Sequence, residues 1–330
     1  MPGSQSPTSL NLILENIGPI KSAEIELGRV TVLYGANATG KTTVARAIED
    51  AVKLMNNIGV ECSELAELVR HDAKVGRIVL NDYDVSLERT EGFERVNVVI
   101  KRGAETLHSG GCGVGNYLTG LHIASDLGVD SLAWVRYNDV RLINVGLPEF
   151  ENPPTLTDLL KPSVIMGYIS RSASYTKIAS DYSKYLMDIN DALELVINGR
   201  LELQEDKVFF YDGDYYYELD RVAEGIKRAA LIIVVKALAE RLRELGRRPI
   251  MFVENFESAL HVDYVKSLLD VLSEGNVPVV VETHSGFAIK YGVRKMEESE
   301  GWRVYIIEDG NAFTDLTKSE LFKRERELIE

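Results

Sequence analysis

The chain has 330 residues, 45% of them hydrophobic, with 51 acidic against 37 basic side chains and a net charge of −14. That is enough apolar material for one large core or two modest ones, and the acidic balance argues against a dedicated DNA-binding module, because counterion release rewards a basic surface. Two cysteines, Cys62 and Cys112, are too few for a disulfide framework or a protein-only zinc site and read as reduced thiols of a cytosolic protein.

Residues 1–9 are polar, hold Pro, Ser and Gly, and carry no hydrophobic signal core, so they read as a disordered start. Short strands follow at 10–14 and 23–27 around a Gly18-Pro19 turn, then an apolar strand at 30–34. That strand runs into a glycine-containing loop, and a helix begins near Lys41 with Val44, Ala47, Ile48, Ala51, Val52 and Met55 on one face. Segments 77–80, 84–89 and 95–101 are β-branched and separated by turn residues, which predicts an antiparallel β-patch. The glycine-rich stretch 109–120 is superficially like a dinucleotide-binding loop but reads as a flexible connector. Another strand falls at 132–137.

From 153 to 203 helix formers dominate, with helices expected near 157–160, 174–188 and 191–198 and no sustained heptads. An Asp212-Gly213-Asp214 turn joins 208–211 to 215–219 as a hairpin. Its aromatic run suits cross-strand packing better than base stacking. A long helix at 223–245 ends at Gly246 and Pro249. The rest alternates: strand 250–253, helix 262–273, strand 277–282, a short helix and a hairpin at Asp309-Gly310. Strands alternating with helices predict a largely parallel core sheet. No apolar run reaches the ~18 residues a membrane span needs; the longest, 229–238, is broken by Lys236. The expected location is cytoplasmic, without membrane insertion.

The strongest chemical signal is Gly35-Ala36-Asn37-Ala38-Thr39-Gly40-Lys41-Thr42-Thr43, a complete G-x-x-x-x-G-K-[ST] phosphate loop between strand and helix. Glycines let main-chain N–H groups wrap around phosphates, and the helix N-terminus adds about half a positive charge. Lys41 is placed for the outer phosphates and the Thr42 hydroxyl for Mg2+. The expected ligands are therefore ATP and Mg2+.

With that loop, the opening Asn16-Ile17-Gly18-Pro19-Ile20 and the 28–33 approach, the chain resembles the small ABC/SMC-like ATPases, a group with RecF-like and OLD-like AAA-domain members in bacteria and archaea. The resemblance implies an α/β P-loop NTPase fold: an ABC-ATPase-like head with an antiparallel β-patch and an inserted helical lobe. The head would comprise 10–115 and 205–330, the mainly helical insert 116–204. The chain stops too soon after His284 for a Toprim nuclease domain, so a nuclease would be a separate partner.

The resemblance also assigns residues. In the acidic strand, Glu254 stands where an Asp supports Mg2+, and Asn255 stands where the water-activating Glu is expected. An amide cannot accept a proton at neutral pH, so fast hydrolysis is in question, with Glu257 as a substitute base from another direction. His284, after the next apolar strand, is the switch histidine that senses the γ-phosphate. Ala223-Glu224-Gly225 occupies the signature loop, with Ala223 in place of the usual Ser and Lys227 or Arg228 offering compensating charge; an ordinary helix N-terminus is the plainer reading. Tyr137-Asn138-Asp139 is the nearest match to a glutamine-type loop, and Arg141 is either a phosphate sensor or a surface ion-pair residue. Two heads are expected to join head to tail around ATP. The functions implied are a slow ATPase in DNA maintenance or defence against foreign DNA, with DNA or a separate effector protein as partner; a nucleotide-gated switch or scaffold with little turnover; and, in third place, a transporter subunit.

Overall fold

The computed structural model describes residues 10–56, 58–90, 95–113, 115–118, 128–136, 139–143, 153–170, 174–205 and 207–323. The expected disordered start at 1–9, and Tyr137 and Asn138 of the glutamine-loop match, lie outside them. In chain order the elements are β1 (Leu10–Ile17), β2 (Ile20–Leu27), β3 (Val30–Tyr34), α1 (Lys41–Met55), β4 (Val60–Glu61), α2 (Cys62–Leu68), β5 (Val75–Leu80), β6 (Tyr83–Arg89), β7 (Arg95–Arg102), β8 (Glu105–Gly113) and β9 (Tyr117–Leu118). Then come β10 (Ser131–Val135), β11 (Val140–Ile143), α3 (Leu156–Leu160), α4 (Pro162–Ile169), α5 (Tyr175–Ile197), β12 (Arg200–Gln204), β13 (Lys207–Tyr211), β14 (Tyr216–Glu218), α6 (Glu224–Glu244), β15 (Pro249–Val253), α7 (Val262–Ser273), β16 (Val279–Thr283), α8 (Gly286–Glu298), β17 (Trp302–Glu308) and β18 (Asn311–Phe313). They form two compact units, one of residues 1–130 with 292–330 and one of residues 131–291, the boundary falling within α8.

In the first unit the strands run in the order β3-β17-β18-β2-β1-β5-β6-β7-β8. β3 and β17 are parallel, and β1, β2 and β5 to β8 form antiparallel pairs. β3 is buried at every position, as a strand covered on both faces must be. β6 alternates buried and half-buried residues, the mark of one covered face. The apolar face read for α1 is buried in full: Val44, Ala47, Ile48, Ala51, Val52 and Met55. Each such side chain contributes about 1–3 kcal/mol of apolar burial.

Two expectations change here. The stretch from Ser109 to Gly113 is not a connector but the end of β8, paired with β7. Gly111 sits opposite Asn97, and a Cβ on it would lie 2.6 Å from Asn97 Oδ1, so glycine keeps the pair close. The cysteines are not free thiols either: Cys62 at the start of α2 is bonded to Cys112 of β8, with Cα atoms 6.0 Å apart. Fifty residues of sequence separation hid a pair that folding brings within bonding reach, and the cysteines no longer argue for a reducing compartment.

In the second unit β10, β15 and β16 are parallel, with β11 antiparallel on β10. All positions of these three parallel strands are buried. α6 packs against α3, α4, α5 and α7, which explains why apolar residues occur all round it rather than on one face. The helices expected at 174–188 and 191–198 are one continuous α5. Asn190, between the two expected helices, is satisfied from outside α5: its Nδ2 donates to Leu201 O at 3.1 Å and its Oδ1 accepts from Leu201 N at 2.8 Å. The hairpin read around Gly213 gains a third strand, β12, on its other edge. Tyr211 and Tyr216 pack across it with ring centres 4.7 Å apart, while Tyr215 and Tyr217 remain exposed. Among the described residues no helix is long and apolar enough to cross a membrane.

Candidate functional site

The phosphate loop belongs to the first unit, between the end of β3 and the start of α1. Its shape depends on residues that tolerate close approach or a left-handed backbone. A Cβ on Gly35 would stand 2.5 Å from the carbonyl oxygen of Ile307 in β17. Ala38 has φ 62°, a conformation that costs a non-glycine residue about 1–2 kcal/mol. Gly40 has φ 112°, and a Cβ there would meet Ile20 at 2.7 Å. Gly40 is also the N-cap of α1, offers no side-chain cap, and is followed by a first turn without acidic residues. The helix end therefore keeps its positive field for an external anion.

Lys41 is only 3% exposed and folds back along the loop, its Nζ donating to the carbonyls of Gly35 at 2.9 Å and Ala36 at 2.8 Å. Thr39 Oγ1 donates to Ala36 O at 3.0 Å. Asn37 is exposed on the outer rim, while Thr42 and Thr43 are half-buried in the first turn of α1. These nine consecutive residues form one turn of main chain with an ammonium group drawn along its inside.

Beside this loop, wholly within the first unit, lies an open cavity of about 780 Å3 lined by Gly18, Lys21, Thr39, Arg70, His71 and Asp309, among others. Sequence reasoning missed Arg70, His71 and Asp72, because they occupy a short connection between α2 and β5 that carries no periodicity. Arg70 donates to Asp72 Oδ1 at 2.5 Å and to Pro19 O at 3.0 Å. The first of these bonds holds the Asp72 carboxyl below the usual carboxylate range.

The remaining candidates lie in the second unit. Glu254 follows β15; its Oε2 is buried and accepts no hydrogen bond, with Arg136 Nε 3.7 Å away. Arg136 balances this carboxylate as an ion pair. Among the described residues no group of three or more His, Cys, Asp or Glu side chains could hold a metal. Asn255 adopts φ 47° and Ala259 φ 62°, so the turn after β15 is bent twice into the left-handed region. Glu257 has both carboxylate oxygens engaged: Oε1 accepts from the main-chain N–H of His284 at 2.7 Å and Oε2 from Thr283 Oγ1 at 2.8 Å. Its visible work is to fix the exit of β16, where half-buried His284 stands.

Ala223 is the N-cap of α6, without a side-chain cap, and Glu224 and Gly225 open the helix. Gly225 packs on the turn after β15; a Cβ there would lie 2.6 Å from Ala259 O. Gly225→Ala sets a helix-propensity gain of about 1 kcal/mol against overpacking of about 1–3 kcal/mol. Because the clashing atom is main chain, overpacking should win. The expected result in denaturant titration is a stability loss of up to about 2 kcal/mol; an unchanged midpoint would mean the turn can back away.

Arg228 does not supply compensating charge to the signature loop. It is 4% exposed and points inward, donating to the carbonyls of Arg136 and Glu254. It thereby ties the ends of β10 and β15 together. Lys227 forms an ion pair with Glu224 at 2.9 Å. Arg141 is exposed on β11.

Neither the protein-family models nor the curated proteins give a match to this sequence. Solved structures do. An SMC head bound to the C-winged helix domain of ScpA aligns over 92% of this chain and 95% of its own, with a TM-score of 0.51 at 14% identity. The SMC head domain from Thermotoga maritima aligns over 92% and 97%, with a TM-score of 0.45 at 15% identity. The recombination mediator protein RecF with ATPrS aligns over 92% and 98%, with a TM-score of 0.44 at 16% identity. The fold is the mixed α/β P-loop ATPase fold of an SMC head, as the sequence resemblance implied.

Proposed function

We propose that this protein binds ATP with Mg2+ through the loop from Gly35 to Thr43, and that the nucleotide controls head-to-tail pairing of two copies in DNA maintenance or defence against foreign DNA. The observation that carries this reading is the loop itself. Its glycine-dependent turn, its uncapped helix end and the inward Lys41 make an anion cradle of triphosphate chemistry. On this reading Lys41 leaves its two carbonyls for the outer phosphates, Thr42 meets magnesium, Glu254 keeps the metal-supporting role that the resemblance implies, and the neighbouring cavity takes base and ribose. Bound magnesium would neutralise charge on the phosphates. His284, by the resemblance, senses the γ-phosphate, and Ala223, Glu224 and Gly225 face the partner copy's nucleotide.

One observation favours slow turnover, the second function implied by the sequence. The position of the general base holds Asn255, and the nearby Glu257 carboxylate already accepts two hydrogen bonds. A chain so built holds ATP longer than it splits it, which suits a clamp or switch.

The test is the mass in solution of the purified protein with and without ATP·Mg2+, by light scattering. A shift from monomer to dimer with ATP, absent in Lys41→Ala, is expected. A mass that ignores nucleotide would refute pairing, and calorimetry without heat of ATP binding would refute the site.

A further inference from the structure

Arg70, His71 and Asp72 of the connection 69–73 line the cavity, while Val69 at its start is buried. The path of this connection is fixed by main-chain bonds on one side: Gly18 N–H donates to Leu68 O at 2.7 Å and Arg70 N–H to Asn16 O at 2.8 Å. On the other side a single side chain gathers its carbonyls. Arg89, the last residue of β6 and only 8% exposed, donates from Nη1 to Val69 O at 3.2 Å. Its Nη2 reaches Arg70 O at 3.2 Å, His71 O at 2.9 Å and Ala73 O at 3.1 Å. Its own main-chain N–H donates to Lys74 O at 2.9 Å.

Burying a guanidinium costs several kcal/mol unless its donors are well matched. A leucine would fill this place between strand and loop more cheaply if packing were the only need. What the arginine supplies is convergence: a planar fork of N–H groups draws four successive or near-successive carbonyls toward one point. Turning the carbonyls of 70 and 71 inward leaves their side chains to line the cavity, where Arg70 is further braced by Asp72 and by Pro19 O.

We infer that Arg89 is a positioning residue for the nucleoside end of the nucleotide: it holds Arg70 and His71 at the cavity while touching no ligand itself. This rests on the proposal that the phosphate loop takes ATP. It also makes a separable claim, because Arg89 acts on the cavity wall and not on the phosphate loop.

The experiment is calorimetry of Mg2+ complexes of ATP and of inorganic tripolyphosphate on the full chain, wild type and Arg89→Lys. Lysine keeps the charge but cannot reach all four carbonyls. Arg89→Lys should weaken ATP about ten- to a hundredfold and leave tripolyphosphate within about twofold of wild type. Equal ATP affinity in the two proteins, or equal loss of both ligands, would overturn the role of Arg89. Wild type binding neither ligand would instead overturn the ATP reading. Should Arg89→Lys fail to fold, hydrogen exchange on wild type decides. Amides of 69–73 should gain protection with ATP but not with tripolyphosphate, and the same protection with both would refute the inference.

Discussion

Lys41→Ala should yield a folded protein that has lost ATP·Mg2+ uptake by at least about a hundredfold, read by calorimetry, with no nucleotide-dependent change in mass. The size follows from where the ammonium sits. It is nearly sealed from water and its two visible bonds, to Gly35 O and Ala36 O, run along the inside of the turn. A charge-assisted bond to phosphate at such a site is worth about 1.5–3 kcal/mol, and several such bonds act together. Stability should fall by about 1–3 kcal/mol: alanine is a good residue for the first turn of a helix, but the carbonyls of Gly35 and Ala36 lose a nearly buried donor. Undiminished uptake in the variant would mean that the turn does not enclose the phosphates.

Asn255→Glu should raise phosphate release by about a hundredfold or more, the usual reach of a well-placed general base, and shorten the life of any ATP-bound dimer. The backbone sets a limit on this gain. Asn255 adopts φ 47°, which costs glutamate more than asparagine, so the variant should also lose about 1 kcal/mol of stability. The two effects are separable, the first by phosphate release at saturating ATP and the second by denaturant titration. Turnover that stays flat in a folded Asn255→Glu protein would place the base elsewhere. Glu257→Gln would then show whether Glu257 is that base or, as its bonds to His284 N and Thr283 Oγ1 indicate, a brace for the β16 exit.

The parts of the molecule that could be read in advance share one property: neighbours in sequence determine them. The phosphate loop is nine consecutive residues whose φ demands and amide directions are set by glycine and by the helix that follows. The face of α1, the end of α6 at Gly246 with φ 84°, and the Asp309-Gly310 turn with φ 51° and 80° are of the same kind. Periodicity and turn chemistry act over three or four residues, so the string carries them openly.

The misreadings all involve partners far along the chain. Arg228 looked like surface charge on a helix start, but its carbonyl partners belong to residues 136 and 254. Cys62 and Cys112 looked unrelated until α2 and β8 met. Residues 174–188 and 191–198 looked like two helices, yet α5 runs through them, and Leu201 satisfies the amide of Asn190 between them. Gly111 suggested a loose linker, though Asn97 across the sheet is what requires it.

Sequence alone thus determined the turn of the phosphate-loop motif and the class of fold, because both are written in local spacing and in the alternation of apolar strands with helices. Only the tertiary structure decided which chain segments the polar side chains hold, Arg89 on the 69–73 connection and Glu257 at the exit of β16 above all. A hydrogen-bond donor in a sequence has no direction until the backbone it must satisfy has been folded up against it.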